Sequence, residues 1–116
     1  MINATMNIDP EAYETALYAV STGSRRKAIA IKVSIVGEKA LQWNVVAQNL
    51  VTRGANTVLK TRYHHDYQPE QEICYRGKWY IIKNLDSHSL DIAPQVMGIR
   101  RNPPREYYLG LIETAQ

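Results

Sequence analysis

The side chains best placed by type to do chemistry are the adjacent pair His64-His65 with Asp66 directly after it, and the more distant His88. Imidazole nitrogens and a carboxylate can ligate a metal or move a proton, but only if they converge on one point. Neighbouring residues of an extended chain point to opposite faces, so His64 and His65 cannot both reach one ion without a bend. The spacings that bring such groups together, H-x-x-x-H, H-E-x-x-H or a cysteine pair, are absent. Asp66, Asp86 and Asp91 are scattered rather than paired for acid–base work. There is no glycine-rich phosphate loop, G-x-S-x-G elbow or C-x-x-C. Cys74 is the single cysteine, set between Ile73 and Tyr75 in an apolar run, and it reads as a small buried hydrophobe rather than a reactive thiol. The expectation is a protein without catalysis, metal or cofactor.

The elements around these residues read mainly as strands. Thr57–Tyr63 is rich in β-branched and aromatic residues. The polar stretch His64–Glu72, with Pro69 inside it, is a loop. Ile73-Cys74-Tyr75 and Trp79-Tyr80-Ile81-Ile82 flank Arg76-Gly77-Lys78, the signature of a hairpin with a glycine in its turn. Ala28–Val36 alternates, with Ile29, Ile31, Val33 and Ile35 on one face, and Tyr107–Glu113 closes the series with Leu109 and Leu111 on one side.

Two segments admit a helix. Asp9-Pro10-Glu11 is a helix start, and Tyr13, Ala16, Leu17 and Val20 follow at i, i+3, i+4, i+7, which predicts a short amphipathic helix over Pro10–Val20. Lys39–Thr52 fits either period. The β-propensity of Trp43, Val45, Val46 and Val51 favours a strand from about Gln42 over a helical stripe of Leu41, Val45, Gln48 and Asn49 that is half polar. Ser87–Glu106 lacks periodicity apart from a brief strand at Leu90–Ala93, and it carries Pro94, Pro103, Pro104, Arg100, Arg101 and Arg105. Long irregular segments of this kind are commonly binding elements or disordered.

The 116 residues therefore predict a single domain, with a helix near 10–20 and a β core over about 27–113. Its class is mainly β: a small antiparallel barrel or sandwich with a short N-terminal helix and long loops. A lone cysteine makes the fold independent of an oxidising compartment. No apolar run is long enough to cross a bilayer and the first residues lack a signal-peptide pattern, so a soluble protein made without export is expected. A net charge of +3 permits contact with nucleic acid or an acidic protein without marking a dedicated polyanion binder. Tyr63, Tyr67, Tyr75, Trp79 and Tyr80 interleave with Arg62, Arg76, Lys78 and Lys83 as in barrels that stack bases, although alternate residues there must simply face the core.

Several of these residues together carry a resemblance. Arg62-Tyr63-His64-His65-Asp66, Pro69, the hairpin Ile73–Ile82, Asn84-Leu85-Asp86 and Leu109-Gly110-Leu111-Ile112 stand in the order R-Y-x-x-D, proline loop, I-x-Y-R-G-K-x-Y-x-I, N-L-D, L-x-L. This order resembles the head–tail joining, or head-closure, family of tailed bacteriophages over roughly Thr57–Glu113, about half of the chain. The resemblance implies a structural virion protein: a β-barrel subunit that forms a six- or twelvefold ring with copies of itself, sits between a portal or adaptor above and a tail protein below, and retains packaged double-stranded DNA. Adaptor and tail-completion roles in the same connector are its neighbours, and a small nucleic-acid-binding barrel is the alternative. On this view identical subunits add through edge strands and long loops. The loops bearing His64, His65, Asp66, Glu70 and Glu72, and His88, Arg100, Arg101 and Arg105, would line the channel or reach a neighbour, and a helix presenting Tyr13, Leu17 and Val20 would dock on the ring above. The protein would be found at the head–tail interface of the virion, and in the host cytoplasm before assembly.

Overall fold

The computed structural model describes residues 12–22, 25–89 and 105–114. Six strands, β1 (Glu14–Thr22), β2 (Arg25–Ile35), β3 (Thr57–Thr61), β4 (Glu72–Tyr75), β5 (Lys78–Ser89) and β6 (Arg105–Glu113), form a closed antiparallel barrel in the order β1-β2-β3-β6-β5-β4. Two short helices, α1 (Glu38–Leu41) and α2 (Val45–Thr52), connect β2 to β3. Of the two expected β architectures the barrel is the one formed, because β1 pairs with β2 on one side and β4 on the other. The ring of pairing is short, however: β2 meets β3 only at Val33–Ile35 and β1 meets β4 only at Leu17–Ala19, so the β1–β2 arm from Arg25 to Lys32 is paired on one side alone.

Alternation builds the interior. Tyr18, Ile31, Val33, Leu59, Ile73, Ile82, Leu109 and Leu111 point inward and are fully or almost fully buried. Each such side chain contributes roughly 1.5–3 kcal/mol by leaving water. On β5 a bulge at Lys83 keeps the pattern in phase: Ile82 lies opposite Leu111 and Leu85 opposite Leu109, so one extra residue returns Leu85 to the interior. The expected hairpin is present, with Arg76 (φ 53°) and Gly77 (φ 79°) forming its two-residue turn.

The expected helix over Pro10–Val20 is not formed in its described part, which is β1 from Glu14 onward. Ala16, Leu17, Tyr18, Ala19 and Val20 are apolar without interruption, so they satisfy a helical and an alternating pattern equally. Pairing decides between them: as a strand the segment supplies hydrogen-bond partners to both β2 and β4, which a three-turn helix would leave exposed. Ala16 and Tyr18 face the core and Leu17 faces outward.

The expected strand from about Gln42 is likewise replaced, by α2. Asn44 caps it, its side chain accepting from the Ala47 amide at 3.0 Å. At the other end the Gly54 amide donates to Val51 O and the Ala55 amide to Leu50 O, both at 3.0 Å, with Gly54 at φ 113°, the paired bonds of a Schellman stop. The buried stripe is Ala47 and Leu50, with Val46 partly covered, and not the half-polar Leu41/Val45/Gln48/Asn49 set. With Val36, Ala55, Val58 and Tyr108 these residues form a second core between α2 and the outer wall of the barrel. β6 is therefore buried on both faces from Glu106 to Leu111. Ile35, expected on the core face of its strand, is exposed, while Val36 is buried in this second core.

Candidate functional site: the loop-bearing end and two uncovered faces

In a closed antiparallel barrel successive strands run in opposite directions, so the connections β1–β2, β3–β4 and β5–β6 all emerge at one end. That end gathers His64, His65, Asp66, Glu70, Glu72, His88 and Arg105 from the sequence reading, together with Arg25, Arg26 and Lys27. Arg100, Arg101 and the brief strand at Leu90–Ala93 lie outside the described residues.

The β3–β4 loop folds across the mouth of the barrel. Thr61 Oγ1 donates to Lys32 O (2.8 Å) and accepts from the Tyr63 amide (3.1 Å), and Tyr67 donates its hydroxyl to Tyr63 O (2.7 Å), which turns the Tyr67 ring inward. His65 sits among aromatic rings, edge-on to Tyr18 with centroids 5.0 Å apart and stacked on Tyr63 at 6.3 Å, and its Nδ1 is buried with no hydrogen-bond partner. Tyr67 packs on Tyr18 and Tyr107. His64 points the other way, its Nδ1 2.7 Å from the Tyr107 hydroxyl. The two histidines thus diverge, and this layer is an aromatic lid rather than a ligand set.

Burial pushes the Tyr18 hydroxyl up to about 12, with the nearby Asp66 charge adding to the effect, and burial raises Tyr67 as well. The Tyr18 hydroxyl donates to Gln71 Oε1, which also accepts from the Gln68 amide. Glu70, at φ 77°, donates its amide to Ile82 O at 2.8 Å and fastens the loop alongside β5. Glu72 is already in β4 and pairs with Arg26, tying the β1–β2 arm to the barrel wall.

His88 and Arg105 lie on the β5–β6 arm. Arg105 donates to Ser87 Oγ at 2.9 Å. His88 Nε2 is 3.7 Å from Glu106 Oε1, while Glu106 Oε2 stands 3.9 Å from Lys60 Nζ and 3.8 Å from Arg62 Nε, so one buried carboxylate is ringed by three basic side chains. Glu106 was not legible as a candidate, because its burial depends on the strand pairing around it.

At the opposite end the Glu14 carboxylate accepts from Arg76 Nε (2.9 Å) and Nη2 (2.7 Å) and from the Tyr75 hydroxyl (2.7 Å). These bonds hold its carboxyl below the usual range, the Arg76 bond contributing most. Burial, with the Glu14 contact next, pushes the Tyr75 hydroxyl up to about 12. Lys78 pairs with Glu113 at 3.0 Å.

Two outer surfaces are apolar and uncovered. One is the turn between α1 and α2, where Trp43 is 83% exposed and Val45 67%. The other is the outward face of β2, β1, β4 and β5, where Ala30, Leu17, Cys74 and Trp79 lie in register across the sheet, with Ala28 opposite Ala19 in the next row. Leu17 and Trp79 there are 41% and 43% exposed. Of the proposed docking residues, Leu17 belongs to this face, Tyr13 precedes β1 and is exposed, and Val20 points inward against the core. Neither apolar surface was predicted. The available signal was the unbroken apolar run of β1, since an antiparallel strand with one wet face should alternate.

Among the described residues no group of three or more histidine, cysteine, aspartate or glutamate side chains could hold a metal ion, and no helix is long and apolar enough to cross a membrane. Comparison with protein families, with curated proteins and with solved structures gives no match.

Proposed function

We propose that this chain is a ring-forming structural subunit of the neck of a tailed bacteriophage, closing the DNA-filled head and offering the surface on which the tail docks. The observation that carries the reading is a closed barrel with two uncovered apolar surfaces on different sides of its wall. Identical copies can meet through such side-chain surfaces, and a contact that joins two different surfaces generates a ring when its rotation closes.

The sequence motifs that resemble the head-closure family fit the same reading. Arg62–Asp66 leads into the lid, Ile73–Ile82 is the β4–β5 hairpin, and Leu109–Ile112 is the doubly buried β6. Arg25, Arg26, Lys27, Arg62 and Arg105 share the loop-bearing end, where they can face packaged DNA or an acidic partner subunit. No catalysis is assigned.

The test is to add the purified protein to DNA-filled, tailless heads and to image the portal vertex by electron microscopy. A new ring with reduced DNA leakage is expected, and an unchanged vertex rejects the reading. A nucleic-acid-binding barrel is the second reading, favoured by the same cluster of cations. It predicts oligonucleotide binding by the isolated chain, falling steeply with salt.

A further inference from the structure

We propose that Trp43 of one copy of this chain seats in the hollow beside Trp79 of the next copy, making this the contact that builds the ring. The inference rests on the proposed ring function and names the residues of its interface.

The hollow follows from strand register. Ala19 and Ala28 are opposed across the β1–β2 pair, and these two small side chains lie in an open depression in the barrel wall. Trp79 forms one side and Arg26 another, and Glu72 pairs with Arg26 and so fixes the guanidinium at the rim. Small apolar floor, aromatic wall and a guanidinium describe a receptor for an electron-rich ring: indole stacks offset on indole, and its face attracts cations more strongly than any other side chain's.

Trp43 is the matching group. It is the most exposed large apolar residue described, and it is held rather than loose: its amide donates to Ala40 O at 3.0 Å, and Asn44 beside it caps α2 and donates to the Tyr108 hydroxyl at 3.2 Å. A tryptophan presented on ordered backbone loses little entropy on docking, the usual character of an interface anchor. Val45 next to it extends the apolar contact.

Position completes the argument. α2 packs on β3, β6 and β5, whereas the hollow spans β2, β1, β4 and β5, and in strand order β6 lies across the barrel from β1. Ridge and hollow therefore lie on different parts of the wall, and Trp43 does not line the hollow of its own chain. Ridge-into-hollow contact between copies is heterologous and propagates around a ring.

The test uses the full chain and two variants on exposed positions, W43A, which removes the ridge, and A28Y, which fills the hollow, each checked for an unchanged melting profile. Sedimentation over a concentration series should show wild-type self-association, weakened roughly thirtyfold or more in either variant. Mixing W43A with A28Y should restore a one-to-one dimer and nothing larger, because each variant keeps one intact half of the contact. Wild-type protein that stays monomeric throughout, variants that associate as wild type, or a mixture that yields no dimer overturns the proposal. Loss of oligonucleotide binding in A28Y with W43A unaffected also overturns it and assigns the hollow to nucleic acid. Binding to tailless heads separates the two levels: if W43A still forms the vertex ring, this contact is wrong and the neck function stands. If W43A and A28Y behave as expected in solution but wild type ignores the heads, the contact stands and the neck function fails.

Discussion

Asn84 on β5 lies directly opposite Gly110 on β6, and a Cβ on Gly110 would come within 1.9 Å of Asn84 Oδ1. The missing side chain is what lets Asn84 cross over β6 and donate to Leu50 O at 3.2 Å, bonding the barrel wall to the last turn of α2. The same Cβ would stand 2.9 Å from Ala55 Cβ, so neither neighbour offers room.

Gly110→Ala should therefore destabilise the fold by roughly 2–3 kcal/mol through overpacking. Asn84→Ala alone should cost about 1 kcal/mol, the loss of one hydrogen bond, yet it should partly rescue Gly110→Ala by removing the closest clash. Urea denaturation of the two single variants and the double variant checks this coupling.

Asn44→Ala should cost about 1 kcal/mol, since the amide of Ala47 loses its cap. Tyr108→Phe, which removes only the bond from Asn44 Nδ2, should cost less. If Asn44→Ala leaves the thermal midpoint unchanged, the cap does not hold α2 on the barrel.

The barrel mouth gives opposite results for two replacements of His65. Phenylalanine keeps the ring stacking and removes the unpartnered Nδ1, so His65→Phe should be neutral or stabilising by up to about 1 kcal/mol. His65→Ala opens a hole against Tyr18 and Tyr67 and should destabilise by about 2 kcal/mol. A His65→Phe variant as unstable as His65→Ala would mean that the imidazole nitrogens carry a role this packing does not require.

Acid should act through Glu14. Its carboxyl is held below the ordinary 4.5, so its contribution is complete above that value and is lost as pH falls through the lowered one. Glu14→Gln should accordingly be less stable than wild type at neutral pH, and the gap should close in acid. Denaturation midpoints measured down the pH scale read this directly, and a gap independent of pH rejects it.

Alkali should act through Tyr18. Its pKa is raised from 10 to about 12, so the unfolded chain ionises first and stability falls as pH rises through that window. Tyr18→Phe should lessen the decline between about pH 10 and 12, to which Tyr67 and Tyr75 also contribute because burial raises them too, and ultraviolet titration of the wild type should show fewer tyrosines ionising near 10 than sequence alone implies.

The hairpin, the alternation of β2 and β6 and the mainly β class could be read from residue order because they depend on local signals: period-two patterning and a glycine turn at Arg76-Gly77. The His64–Glu72 loop was legible for the same reason, and so was the failure of His64 and His65 to converge. The stretch Ser87–Glu106, read as irregular apart from Leu90–Ala93, was bounded too widely, since Ser87–Ser89 continue β5 and Arg105 and Glu106 begin β6, paired to one another; two further segments were misread in type, and both carried more than one period. β1 is apolar at every position from Ala16 to Val20, so its state was set by the vacancy between β2 and β4. α2 was set by the outer wall of β3 and β6, which offered Val58 and Tyr108 to Ala47 and Leu50.

The candidate surfaces divide along the same line. Sequence determined that Trp43, Trp79, Ala19 and Ala28 exist; only barrel closure decided that two alanines would face each other beside a tryptophan and that a second tryptophan would stand uncovered across the barrel. It likewise decided that Glu106 would be buried among Lys60, Arg62 and His88. Local propensity acts over a few neighbouring residues, whereas these juxtapositions join positions dozens of residues apart, and they exist only once hydrogen bonding has closed the sheet on itself.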